Sequence, residues 1–312
     1  MNLFRSVVGA IIGITLTWAS APSAYSQGTD RFFTFGSGQV KGIYFPLVAE
    51  VCRSVNQRTL THGWRCGISA SEGSEANLLG LKRQTLTFGI VQSNLVLATS
   101  EEDNSGVAVA TVASLIPEPV HILVRESSSI LRVDDLEGAS INIGEAFSGT
   151  RKIAVSLLEA AEIEISEHQL HSYDPGSQAR RLCEGDIDVV IWVSGIGNSS
   201  MTEAHRHCSV RLLDIPEVLT AQVLADIPGL TTITIPKGTY PNQVASVASF
   251  GPIARVVSRE DTPEALVDLV YQALTGGIDR RSAHPLLLNL SDGDLAQFFP
   301  SEAVHPAVVR YR

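Results

Sequence analysis

The sequence predicts an α/β protein of two lobes with a cleft between them. Two observations carry this. Short apolar β-runs alternate with stretches of helical spacing, as in βα units around a mainly parallel sheet. Three times, a Gly/Ser-rich turn follows an apolar run and opens onto a helical pattern. These turns are Gly36-Ser37-Gly38 with Gly42-Ile43-Tyr44, Ser71-Glu72-Gly73-Ser74 with Asn77, and Gly144 with Ser148-Gly149-Thr150-Arg151. Each should set unpaired backbone N–H groups and hydroxyls at a helix N-terminus, where the dipole favours a carboxylate or another anion. Three such turns with no catalytic set beside them suggest capture of a small anion without turnover.

The elements follow in order. Phe32–Phe35 is a short apolar strand, and Ile43 to Gln57 reads as a helix with Pro46 in its first turn. Trp64–Ser69 is a second strand, a helix lies around Asn77–Lys82, and Thr87–Val91 is a third strand that delivers Gln92-Ser93-Asn94. After Pro117-Glu118-Pro119 the pattern begins again. Val120–Val124 is a strand, Val133 to Gly138 a short helix, Ser140–Ile143 a strand and Thr150 to Ala161 a helix. Ile187–Val193 is a buried β-run ending at Ser194-Gly195, with Trp192 either in the core or in the cleft wall. Val244–Val257 is β-rich and returns the chain to the first lobe. Asp261 to Leu274 is a C-terminal helix with Thr262 or Asp261 as cap and Pro263 at its first position.

The first residues read as a secretory signal: Arg5, an uncharged apolar run from Val7 to Ala19, then small residues through Ser26. Cleavage fits after Ser26, and Ser23 is an alternative. The run is too short to span a bilayer. The chain is therefore divided into a signal peptide (1–26), lobe I (27–119 plus 253–312) and lobe II (120–252), consistent with 312 residues. Lys and Arg number 23 against 33 Asp and Glu, a net charge of −10 without basic clusters, so a nucleic-acid partner is not expected. Cys52, Cys66, Cys183 and Cys208 allow three pairings, and proximity favours Cys52–Cys66 and Cys183–Cys208 in an oxidising compartment. The rival reading is metal, with His62 near Cys66 and His205-x-His207-Cys208, but ordered Cys-x-x-Cys spacings are missing. Asp186 and Asp188 lack the rest of a calcium loop. No metal site or cofactor is expected. A secreted hydrolase is disfavoured because there is no Gly-x-Ser-x-Gly elbow.

The order Gly-Ser-Gly-x-x-x-Gly-Ile-Tyr-Phe-Pro (36–46), Gly-Ser-x-x-Asn-Leu (73–78) and Gly-Ile-Val-Gln-Ser-Asn (89–94) resembles the TAXI family, the extracytoplasmic solute receptors of tripartite TRAP transporters. Pro117-Glu118-x-x-His121, Asp135-Leu136-x-Gly138, Gly144-x-x-x-Ser148-Gly149-Thr150, Ile235-Pro236-x-Gly238-Thr239-Tyr240 and His305-Pro306 extend the likeness along nearly the whole mature chain. The resemblance implies a two-lobed periplasmic binding protein fold, type II-like, each lobe a sheet flanked by helices. It implies a non-enzymatic receptor that closes on a small carboxylate, glutamate-like or dicarboxylic, and docks as a monomer onto TRAP membrane permease subunits driven by an ion gradient. A periplasmic sensor subunit serving a membrane kinase is the alternative.

The expected ligand contacts are Ser37, Gly38 and Tyr44 from the first turn, then Gly73, Ser74 and Asn77 from the second. Gln92 and Asn94 lie at a strand end, Ser148, Gly149, Thr150 and Arg151 at the third turn, and Trp192 beside them. Glu72, Glu118 and Glu145 are carboxylates near the cleft, and one of them pairing with a solute amino group would favour an amino acid. Three positions depart from the family pattern: Glu72 and Lys41 where small residues are usual, and Asn94 where Asp is common.

Overall fold

In the computed structural model, which describes residues 31–102, 107–164, 166–276 and 292–311, the chain starts on a strand, β1 (Arg31–Gly36). The leader expected over residues 1–26 lies outside the described residues. The first turn leads into α1 (Tyr44–Gln57), whose apolar residues Leu47, Val48, Val51, Cys52 and Val55 recur at helical spacing and bury one face. A single turn, α2 (Thr59–His62), ends at Gly63 and delivers β2 (Trp64–Ser69), which runs parallel to β1. Then come α3 (Ser74–Lys82), β3 (Phe88–Gln92), α4 (Ser93–Glu102) and β4 (Val109–Pro117). The core here includes Phe33, Phe35, Phe88, Val48 and Val256, and reaches the C-terminal Ala307 and Val308.

Past Pro119 the second half runs β5 (Val120–Arg125), β6 (Ile141–Asn142), α5 (Gly149–Ala160), β7 (Leu170–His171), α6 (Gln178–Glu184) and β8 (Val189–Val193). It continues through α7 (Ser199–His207), β9 (Val210–Leu212), α8 (Glu217–Asp226) and β10 (Leu230–Ile235). Its sheet has the order β7-β6-β8-β5-β9 and its own core, including Ile122, Ile141, Ile153, Leu157 and Ile191. β11 (Val247–Arg259) then crosses back, and α9 (Glu264–Thr275) packs against α1. The first sheet has the order β10-β11-β3-β1-β2, with β4 also on β11.

Two sheets, each flanked by helices and each over its own core, give the two-lobed α/β architecture. The sheets are mixed rather than mainly parallel. β1 with β2 and β3, and β6 with β7 and β8, are parallel, but β11 runs against β3, β4 and β10, and β5 runs against β8 and β9. The reversal follows from how the chain changes lobe. It passes straight from β4 into β5 through Glu118-Pro119, and returns along the single strand β11, so no helix turns either crossing around. At the N-terminus of α9, Pro263 is the cap and Glu264 the first helical residue, one position later than the spacing predicts. The segment expected as a helix over 133–138 is a 3-10 turn, Val133–Leu136, closed by Gly138 in the left-handed region. Both expected disulfides, Cys52–Cys66 and Cys183–Cys208, are formed.

The crossings are tied to each other. Glu118 N–H donates to the Pro252 carbonyl at 2.9 Å, and Ser249 Oγ donates to the Val120 carbonyl at 2.7 Å. Ser93 Oγ donates to the Gly229 carbonyl at 2.6 Å and accepts from Ile253 N–H at 2.9 Å. The last strand is also pinned from behind. The buried Arg255 guanidinium pairs with the buried Glu302 carboxylate at 2.9 Å.

Candidate functional site

A pocket of about 440 Å³, counting space open to solvent, lies between the lobes at the mouths of these turns. From the first half it is lined by Gly38, Tyr44, Gly73, Ser74, Gln92 and Glu118, and from the second by Ser148, Gly149, Thr150 and Trp192. Gln39, Gly42, Ile43, Glu72, Pro175, Val193 and Ser194 complete the wall.

One wall is a chain of hydrogen bonds among buried groups. Tyr44 Oη donates to Glu118 Oε2 at 2.6 Å, and Gln92 Nε2 approaches the same oxygen at 3.4 Å. Ser74 Oγ accepts from Gln92 N–H at 3.2 Å and lies 3.4 Å from Tyr44 Oη. Glu118 is 1% exposed and, among the described residues, forms no ion pair. Burial therefore pushes its carboxyl up to about 8, against which the hydrogen bonds from Tyr44 and Gln92 pull only partly. Burial, with Glu118 beside it, also holds the Tyr44 phenol well above its ordinary value.

The facing wall is the start of α5. Ser148 caps the helix: its Oγ accepts from Arg151 N–H at 3.2 Å and donates to the Glu145 carbonyl at 2.8 Å. The Thr150 hydroxyl is shared with Val193 of β8, donating to its carbonyl at 3.3 Å and accepting from its N–H at 3.2 Å. Gly149 and Thr150 are the first two helical residues, so their own N–H groups have no helical acceptor. The backbone comes this close to the opposite lobe only because residue 149 lacks a side chain. A Cβ there would stand 1.9 Å from Gln92 Oε1. That amide oxygen and the Trp192 indole N–H are both buried without a partner, one an acceptor and one a donor.

The lobes also touch at the rim. Glu72 Oε2 accepts from Phe147 N–H at 3.1 Å, and Ala76 N–H donates to the Phe147 carbonyl at 3.3 Å. Lys152 Nζ lies 3.8 Å from Glu75 Oε1.

Of the residues that the sequence nominates, four stand off the pocket, each engaged elsewhere or turned away. Ser37 Oγ donates to the carbonyls of Gly38 and Ser69. The Asn77 amide donates to the Ser37 and Ile90 carbonyls and accepts from Ser71 Oγ, fastening the ends of β1 and β3 together. Gly36 is required there, because a Cβ would meet Asn77 Oδ1 at 2.5 Å. Asn94 is buried against Gly229, and Arg151 donates to Ser172 Oγ at 2.9 Å at the surface. Glu145 also lies off the lining. Burial, then Glu72 and Asp174, raise its carboxyl. Pro175 and Ser194 are lining residues with no motif to announce them. They arrive through the loop before α6 and the end of β8.

A pocket lined from two α/β lobes that are joined by two crossings is the arrangement of the two-lobed periplasmic binding proteins. The chain matches the NMT1-like family over residues 35–311 and belongs to it. Among solved structures it is similar to the periplasmic binding protein BugD, with 13% identity, a TM-score of 0.52, and coverage of 83% of this chain and 85% of that one. The alkanesulfonate-binding protein SsuA from Xanthomonas axonopodis pv. citri, bound to MOPS, matches at 16% identity and a TM-score of 0.49, covering 80% of this chain and 75% of that one.

Proposed function

We propose that this protein is a non-enzymatic, extracytoplasmic solute receptor that closes its two lobes on a small carboxylate and hands it to a membrane permease. The resemblance to TAXI receptors makes that permease a TRAP-type transporter, with the receptor acting as a monomer after removal of a leader ending at Ser26. The lobes that close are residues 27–119 with 253–312, and 120–252, moving about the Glu118-Pro119 and Gly251-Pro252 crossings. One observation carries the reading. The open first turn of α5 faces the buried Tyr44–Glu118–Gln92–Ser74 chain across a pocket formed by both lobes. A carboxylate suits the N–H groups of Gly149 and Thr150. A solute ammonium suits Glu118, because it supplies the cation that this buried carboxyl lacks. The preferred solute is therefore an amino acid rather than a plain dicarboxylate. Closure on it is favoured because only the closed form makes both sets of contacts.

The test is the melting temperature of the mature chain from Gln27 onward, refolded to strip bound solute, against amino acids, their deaminated analogues, 2-oxoacids and sugars. A solute at 100 times its Kd adds about 2.7 kcal/mol. A shift with amino acids that is weaker with the matching dicarboxylates supports the reading. Equal shifts remove the role of Glu118, and no shift with any carboxylate removes the carboxylate assignment.

A further inference from the structure

Glu118 is an acid to which the protein brings donors but no cation. It sits on the crossing between the lobes, almost wholly buried, and lines the pocket. From α1, Tyr44 Oη donates to its Oε2 at 2.6 Å, and from the end of β3 Gln92 Nε2 approaches the same oxygen at 3.4 Å. Two donors on one oxygen suit an ionised carboxylate. Burial without a countercharge opposes that form.

The surrounding elements leave the conflict unresolved. Tyr44 is the titratable group in contact with the carboxyl. Glu72, in the turn before α3, is the other acid on the pocket, but it is exposed at the rim and holds the Phe147 N–H. From α5, Arg151 turns to Ser172 at the surface, and from β5, His121 turns to Tyr240. Arg255 of β11 is paired with Glu302. β8 brings only Trp192 and Val193 to the lining. Among the described residues that line the pocket there is no lysine, arginine or histidine.

Both protonation states nevertheless have a place here. Ionised, the carboxylate takes the Tyr44 and Gln92 donors as they stand. Neutral, its O–H needs an acceptor, and Gln92 Oε1 is buried with no donor of its own. A half-turn of that amide exchanges Oε1 for Nε2 beside Glu118 and supplies the acceptor. The wall is built to switch between the two forms, and a cation decides which one it holds.

We propose that binding of an amino acid expels the Glu118 proton to solvent, whereas binding of the same solute without its amino group does not. The exchange balances: a neutral carboxyl and a solute ammonium become a carboxylate–ammonium pair and one free proton. It rests on the receptor reading above and adds a regulation to it, because the preference for amino acids over their deaminated analogues then fades as pH falls. Burial pushes this carboxyl up to about 8, so the effect spans the neutral range. A site that must lose a proton binds more weakly in acid, and from pH 7.5 to 6.0 the affinity for an amino acid should drop about 20-fold. The affinity for the analogue should hold.

The experiment is calorimetry at pH 6.5 in two buffers of different ionisation enthalpy, which counts the protons exchanged. The probes are leucine with 4-methylpentanoate, and glutamate with glutarate. Each pair shares its carboxylates, so a proton exchanged elsewhere at the site cancels between its members. The wild type is expected to release about one proton with an amino acid and none with its analogue, and Glu118→Gln to release none with either. Tyr44→Phe takes a donor from the ionised carboxylate, so it should move the pH at which amino-acid affinity levels off upwards. Because the wild-type pairs and Tyr44→Phe carry the test between them, it stands even where Glu118→Gln fails to fold. An amino acid bound without proton release overturns the coupling and leaves the receptor reading standing. Equal release by both members of a pair, release retained in Glu118→Gln, or an unmoved profile in Tyr44→Phe does the same. If neither amino acid binds the wild type, the amino-acid reading fails and the coupling falls with it.

Discussion

At the scale of the residue, two buried groups give this protein a pH dependence with two contributions of opposite sign. Glu118 has a folded pKa of about 8 against an ordinary 4.5, because burial penalises its charge. A carboxyl with a raised native pKa contributes stability that is complete below about pH 4.5 and is lost as pH rises towards 8. His121, three residues on, has the opposite sign. Burial lowers its ring to about 4, so its contribution is present above its ordinary 6.5 and is lost as pH falls towards 4. Tyr44 is the titratable group facing Glu118, while His121 turns to Tyr240 Oη at 2.7 Å. The two windows overlap between about pH 4.5 and 6.5, where the opposite slopes offset each other. Melting temperatures measured from pH 4 to 9 should therefore fall above about pH 6.5. Glu118→Gln should flatten that fall and uncover a rise with pH between about 4 and 6.5. His121→Gln should instead extend the Glu118 decline down to about pH 4.5. An alkaline arm of unchanged slope in Glu118→Gln would mean that this carboxyl is not held neutral. Residue chemistry of this kind is only half legible in the sequence. Glu118 is conspicuous between two prolines, but that it is buried without a cation depends on Tyr44, Gln92 and Ser74 arriving from three other elements.

At the scale of the element, the start of α5 shows which side chains build the site and which could touch a solute. Ser148→Ala removes a cap and should cost about 1 kcal/mol. Thr150→Val should cost about 1–3 kcal/mol, because it strands the Val193 N–H and carbonyl in a buried place. Both losses are read by chemical denaturation, and a neutral Thr150→Val would show that the helix is not fastened to β8 through this hydroxyl. Farther away, Glu302→Ala leaves Arg255 buried and unpaired and should cost about 3–5 kcal/mol. Elements such as α1, β2 and α5 were legible because their apolar spacing is strong and their ends carry Gly, Pro or Ser. β4, β7, β9, β10 and helices α4 and α6 to α8 are not legible in this way; β4, for one, is buried on both faces, and β7 and β9 are two and three residues long. The mixed sheet was illegible for another reason. Strand direction is fixed by where the chain crosses between lobes, a global property that local periodicity does not encode.

At the scale of the whole molecule, the proposed closure engages contacts between the lobes, and magnitude separates the two at the rim. Lys152 and Glu75 are partly exposed and 3.8 Å apart, a pair that solvent and salt reduce to little. Glu72 is different, because its oxygen accepts from the Phe147 N–H while the Phe147 carbonyl accepts from Ala76, so one residue of lobe II is held at both backbone groups. A hydrogen bond with a charged partner contributes about 1.5–3 kcal/mol, and about 1 kcal/mol is reasonable where the acceptor is solvent-exposed. If the lobes close on solute as proposed, this contact re-forms behind it, so its loss should appear in release and not in capture. Stopped-flow binding of whichever solute the melting screen identifies should give, for Glu72→Ala, a dissociation rate roughly 5-fold faster with association unchanged. For Lys152→Met at 0.15 M salt, both rates should match the wild type. If Glu72→Ala slowed association instead, Glu72 would be meeting the solute on entry, and the rim would be part of the site rather than its fastening.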